Sequence, residues 1–159
     1  MSLERLWAGW RSEYVGSVAT EDSGDDCVLC RVLADGSQVV WRDERTAAVL
    51  NAFPYTSGHL LVMPVEHVAE PAEVDGASFW ETVTEAVAAL RRAYRPDGLN
   101  VGANLGRSAG AGVPGHFHVH VLPRWNGDTN FMTTVAEARV LPESLPTTLD
   151  KVRAAWTGA

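Results

Sequence analysis

Cysteine is scarce in this 159-residue chain: there are two, Cys27 and Cys30. A lone pair so close in sequence is a poor structural staple, which excludes a disulfide-built small domain and points to a reducing compartment. Basic charge is also short, with 13 Lys and Arg against 20 Asp and Glu and a net charge of −7. Broad binding to DNA or RNA needs a basic face, so nucleic acid is excluded as the expected partner. A small phosphorylated ligand is not excluded, because a few backbone N–H groups and histidines can hold one inside an acidic protein. No apolar run is long enough to span a bilayer. Residues 1–14 carry charges throughout and lack the apolar centre of a secretory signal. The expectation is a cytoplasmic protein with neither a membrane nor a nucleic acid as partner.

Internal repeats and domain-separating linkers are absent too. With 46% hydrophobic residues, the chain has material for a single core. Residues 3–15 read as a short helix or arm carrying Trp7, Trp10 and Tyr14. Residues 38–41 and 46–53 read as strands about a charged turn, and residues 58–65 as a buried strand. Trp80, Val83, Val87, Leu90 and Tyr94 recur at three- and four-residue steps, which predicts a helix ended by Pro96. A glycine-rich loop over residues 106–115 precedes a strand over residues 116–122, and a short helix closes the chain over residues 148–156. The pattern is α+β, a mostly antiparallel sheet with a long packed helix. It forms one domain over 1–159: a core of about 25–130, an N-terminal arm of 1–24 and a C-terminal tail of 131–159.

All five histidines fall in two places, His59 and His67 around one strand and His116, His118 and His120 on another. Alternate side chains of a strand share a face, about 6.6–6.8 Å apart. The triple therefore points one way while Phe117, Val119 and Val121 point to the core. A hydrogen-bonded, partly exposed sheet face is one reading. A catalytic metal site is a second, since histidines two apart can converge on zinc. Nucleophilic imidazole is a third. Cys27-x-x-Cys30 has the spacing of a zinc half-site, against redox chemistry or two unrelated buried thiols.

The segment His116-Phe-His118-Val-His120-Val-Leu122 resembles the histidine-triad signature, three histidines alternating with apolar residues. The resemblance extends over roughly residues 25 to 130, through Asn51-Ala-Phe-Pro-Tyr-Thr-Ser-Gly-His59, Met63-Pro64 and the Leu-Pro-Arg ending at Arg124. The Trp-x-x-Trp-Arg-x-x-Tyr opening and the segment from Pro123 to Phe131 look most like the bacterial branch that phosphorolyses or hydrolyses diadenosine tetraphosphate. The resemblance implies catalysis by His116, His118 and His120, with His118 attacking the α-phosphate of an adenine nucleotide or dinucleoside polyphosphate. It also implies a homodimer.

Covalent catalysis needs His118 unprotonated at the attacking nitrogen and held at the other by an acceptor. His120 is the expected donor. His59 is a second donor or a packing residue. Glycines let N–H groups approach phosphate oxygens, so the loop is a candidate cradle, with Asn104 and Ser108 as its side-chain contacts. Gly112 and Val113 stand where relatives commonly carry Gln or Ser; Gly112 is kept as a candidate contact, and the departure opens the choice of leaving group and acceptor. Asn51 stands where relatives bind ribose, or is an ordinary turn residue. Trp125 is placed to stack on adenine, to meet a subunit, or to enter the core. By likeness to related proteins, Cys27 and Cys30 are completed by His67 and His116 as a closed, structural zinc site. Nucleoside phosphoramidates or other adenylylated compounds are the alternative substrates, and a nucleotide sensor with incidental turnover the alternative role.

Overall fold

The computed structural model describes residues 27–128 and 142–158. The expectations for Trp7, Trp10, Tyr14 and Phe131 lie outside these residues. Helix α1 (Val28–Asp35) buries Leu29 and Leu33 and ends at Gly36, whose φ of 73° lets its N–H reach the Val32 carbonyl; a left-handed residue after the last turn suits glycine. Strands β1 (Val39–Arg42) and β2 (Thr46–Leu50) are joined by a turn in which Asp43 accepts from the N–H groups of Arg45 at 2.7 Å and Thr46 at 2.6 Å. Strand β3 (Leu60–Pro64), helix α2 (Gly76–Tyr94), strands β4 (Gly98–Gly102) and β5 (Val119–Arg124), and helix α3 (Leu145–Ala155) follow. The five strands form one antiparallel sheet in the order β1-β2-β3-β5-β4. This is the α+β architecture read from the sequence.

Both faces of the central strands are covered. On one face Ala48, Leu50, Leu60, Val62, Phe117, Val119 and Val121 join Phe79, Val83, Ala86 and Leu90 of α2 and Val152 of α3 in the larger core. On the other, Ala47, Val49, Leu61 and Met63 meet Cys27, Leu29 and Leu33. The period-2 alternation of β2, β3 and β5 produces this division. It commits His116, His118 and His120 to the α1 side of the sheet.

Three expectations are corrected. Trp80 is 60% exposed, so the buried face of α2 runs through Phe79, Val83, Ala86 and Leu90; the alanines there let the helix approach the sheet. The histidine strand pairs from Val119 onward, with Leu61 opposite His120, and it continues through Arg124. Helix α1, which carries the second cysteine, was not anticipated.

Candidate functional site

His116 and His118 precede the paired part of β5, yet they are not loose. Phe117 donates its N–H to the Val68 carbonyl at 2.7 Å and His116 to Val113 at 3.4 Å. Both imidazoles are buried, His116 completely. The His118 Nδ1 lies 2.7 Å from the His116 carbonyl oxygen. A carbonyl only accepts, so Nδ1 carries the hydrogen and Nε2 keeps its lone pair. Burial holds the His118 pKa below the ordinary histidine range, partly offset by that hydrogen bond. At neutral pH this is an uncharged imidazole with one nitrogen anchored and the other nucleophilic.

The same reasoning fixes two more rings. The peptide N–H of Tyr55 donates to His59 Nδ1 at 3.1 Å, so Nε2 of His59 carries hydrogen. That nitrogen lies 2.9 Å from His120 Nδ1, which must accept, leaving His120 with its hydrogen on Nε2. His120 is pushed down to about 4 by burial and by the nearby His118 ring, and it is 5.1 Å from that ring, centroid to centroid. A neutral Nε2–H donor thus stands beside a neutral imidazole whose Nε2 keeps its lone pair, each tautomer set ultimately by a backbone group. His59 is 1% exposed and its Nε2 is turned to His120.

Cys27, Cys30, His67 and His116 come together on the α1 side, with one ligand atom from each lying within 4.8 Å of the others. Cys30 Sγ is 3.4 Å from His67 Nδ1, and both sulfurs are 3.5 Å from the single Nδ1 of His116. Tetrahedral zinc with bonds of about 2.3 Å to sulfur and 2.0–2.1 Å to nitrogen separates such pairs by about 3.5–3.6 Å. One ring nitrogen cannot make two linear hydrogen bonds, whereas a shared metal accounts for both distances. His116 Nε2 lies 2.9 Å from the Pro64 carbonyl oxygen and therefore holds the hydrogen, which turns the Nδ1 lone pair toward the thiols. A carbonyl behind the imidazole is the usual outer partner of a metal ligand. The four side chains fit a metal.

The remaining sequence candidates divide. Asn51 is a turn residue: its Oδ1 accepts from Phe53 N–H at 2.9 Å and its Nδ2 faces His59 Nδ1 at 3.4 Å. Asn104 staples the glycine-rich loop by donating to the Gly110 carbonyl at 3.4 Å. Ser108 is exposed on a short 3-10 turn over Arg107–Ala109. The N–H groups of Ala109, Gly110 and Ala111 bond back to Gly106 and Arg107, so that part of the supposed cradle is already engaged. Gly112 is half-buried just before the His116 turn. Trp125 and Tyr94 meet edge to face, 6.0 Å between centroids.

Tyr55 and Pro64 were missed. The Tyr55 ring lies near-parallel to His120 at 5.9 Å and tilted over His59 at 4.6 Å, while Pro64 contributes a carbonyl. Both also act through the backbone, and nothing in a residue's type announces a main-chain acceptor or donor.

The HIT domain profile matches residues 34–127, and the chain belongs to that family. It is 33% identical to the AP-4-A phosphorylase of Mycobacterium tuberculosis, with 97% of this chain and 85% of that protein aligned. A hypothetical histidine triad nucleotide-binding protein from Sulfolobus tokodaii superposes with a TM-score of 0.67 at 30% identity, covering 81% of this chain and 91% of the other. A Zn-bound histidine triad family protein from Mycobacterium smegmatis gives 0.66 at 28%, covering 84% and 94%.

Proposed function

We propose that the protein cleaves dinucleoside polyphosphates, diadenosine tetraphosphate foremost, at the α-phosphate through a covalent nucleotidyl-His118 intermediate. The carrying observation is the buried His118, anchored at Nδ1 by the His116 carbonyl at 2.7 Å. Its Nε2 lone pair attacks the α-phosphorus. The bond from that phosphorus to the bridging oxygen breaks, and the departing nucleotide takes the electron pair. The Nε2–H of His120 stabilises charge on the transferring or leaving oxygens, as in-line phosphoryl chemistry requires. In the second half-reaction an acceptor oxygen attacks the phosphorus and the bond to Nε2 breaks, which restores His118.

Inorganic phosphate is the favoured acceptor. The likeness to the AP-4-A phosphorylase over most of both chains supports it. The expected products are ATP and ADP with phosphate; water in its place gives ATP and AMP.

Zinc is the metal proposed for Cys27, Cys30, His67 and His116. A closed set of four protein ligands makes it a structural tie between α1 and the histidine strand. The reading includes a cytoplasmic homodimer that uses small nucleotides and neither nucleic acid nor membrane. Among the described residues no helix is long and apolar enough to cross a membrane. Edge strand β4 and the α2 face carrying the exposed Trp80 are available to a second copy.

The test is product release from diadenosine tetraphosphate with and without phosphate, by wild type and by His118→Ala. Phosphate-dependent ADP and ATP from wild type alone supports the reading. AMP with ATP assigns a hydrolase, and turnover that survives in His118→Ala overturns the covalent mechanism.

A further inference from the structure

His116 belongs to both halves of the site. Its Nδ1 faces both cysteine sulfurs at 3.5 Å, its Nε2 is held by Pro64 at 2.9 Å, and its carbonyl oxygen takes the Nδ1–H of His118 at 2.7 Å. These three contacts leave the residue no independent freedom. The ring is fixed between α1 and the end of β3, and the carbonyl two bonds from its Cα is aimed by that fixture. We propose that the metal-binding set positions the nucleophile through His116, so that a bound metal selects the His118 tautomer whose Nε2 carries the lone pair. This rests on the reading of His118 as nucleophile; the coupling itself does not require turnover.

The geometry makes the dependence specific. The His59–His120 pair is tied to Tyr55 N–H and to the ladder between β3 and β5, none of which passes through the thiols. His118 has its anchor on a residue before the first ladder pair of β5. Loss of metal removes the tie from the His116 ring to both sulfurs, and the ring can then turn about its Pro64 hydrogen bond, while the flanking peptides stay bonded to Val113 and Val68. The Nδ1–H···O bond of His118 lengthens, and the tautomer with hydrogen on Nε2 becomes populated. That form cannot attack phosphorus. His116 and its three metal partners are thus positioning residues as well as structural ones.

The chain contains five histidines, few enough for two-bond 1H–15N spectra to assign every ring tautomer. Zinc-loaded wild type, chelator-stripped wild type and Cys30→Ser are compared, with metal content and circular dichroism recorded alongside kcat and KM on diadenosine tetraphosphate. Zinc-loaded protein is expected to show one His118 tautomer, protonated at Nδ1. Stripped protein and Cys30→Ser are expected to show a mixture at His118 with His59 and His120 unchanged. With it kcat falls roughly ten-fold or more while KM holds, the scale typical of disturbing a metal ligand's outer partners. Returning zinc restores the stripped wild type.

An unchanged His118 in folded, metal-free protein overturns the proposal. So does equal disturbance of all the histidines, or failure to take up zinc. Should stripping unfold the chain, cadmium-loaded protein decides, because its longer bonds keep the fold and move the ring. A shifted His118 Nδ1–H resonance with lowered kcat supports the coupling, and a spectrum identical to that with zinc refutes it. A metal-dependent His118 tautomer without any turnover sustains the coupling and discards the substrate.

Discussion

Gly58 stands immediately before His59 with φ at 82°, and replacing it by alanine tests how tightly the core holds the site. A non-glycine residue in the left-handed region costs about 1–2 kcal/mol. The added Cβ would also lie 2.8 Å from Tyr94 Cε2 and 3.2 Å from both Leu90 Cδ2 and Pro123 Cγ. The Tyr94 ring cannot easily yield, since its hydroxyl donates to Glu143 at 2.5 Å and its edge meets Trp125. Overpacking of this kind costs about 1–3 kcal/mol, so the sum is about 2–5 kcal/mol. For a chain of this size that corresponds to a fall in Tm of roughly 5–15 °C. Gly36→Ala is the control, because Gly36 has φ of 73° but nothing within 4 Å of a Cβ. It incurs the backbone cost alone. Thermal unfolding of the two variants side by side isolates the clash as their difference. Equal losses would refute the argument that the Tyr94 ring is fixed against Gly58. Because the displaced segment carries His59, kcat of Gly58→Ala is expected to fall further than that of Gly36→Ala.

Single replacement of Cys27 or Cys30 by serine should abolish stoichiometric zinc, measured by elemental analysis, and lower Tm; retention of one zinc per chain would rule out the assigned ligand set. His59→Ala removes the donor that fixes the His120 tautomer, and should lower kcat roughly 10- to 100-fold with little change in KM, as steady-state kinetics will report. The pH dependence of stability follows from His120. Its pKa of about 4 in the folded chain lies below the ordinary value of about 6.5 expected on unfolding. The unfolded state therefore binds the proton first, so stability present above pH 6.5 is lost as pH falls toward 4. Urea unfolding across that window should show a shallower loss for His120→Gln than for wild type; identical slopes would contradict the assignment.

Much of the site was legible because strand alternation is a strict rule. Histidines at 116, 118 and 120 with Phe117, Val119 and Val121 between them already assign one face to chemistry and one to the core. Cys27-x-x-Cys30 was legible as a metal half-site by spacing alone. Helix α1 was not, since only Leu29, Val32 and Leu33 mark its apolar stripe over eight residues and an acidic stretch precedes it. Trp80 misled because an aromatic at helical spacing fits a buried stripe as well as its exposed neighbour position. The roles of His59, Asn51 and the glycine-rich loop depended on backbone partners at Tyr55, Phe53 and Gly106, where a sequence carries no mark. Side-chain chemistry can be read along the chain; which main-chain group captures each side chain is decided only when the strands pair.

The register of β5 is where core and chemistry become one requirement. Leu60, Leu61 and Val62 stand opposite Val121, His120 and Val119, so a slip of one residue would turn the three histidines into the core against α2. It would also take Phe117, Val119 and Val121, which are now 9%, 6% and 0% exposed, out of the core against α2. Burying such side chains is worth about 1.5–3 kcal/mol each, roughly 5–9 kcal/mol for three. That is comparable to the entire stability of a domain, about 5–15 kcal/mol. The apolar residues that alternate with the histidines therefore hold the histidine-bearing face in register. The proposed metal set would act on residues 116 to 118, which precede this ladder. The division is economical: hydrophobic packing fixes His120 against β3, and His116 carries that precision past the end of the ladder to His118.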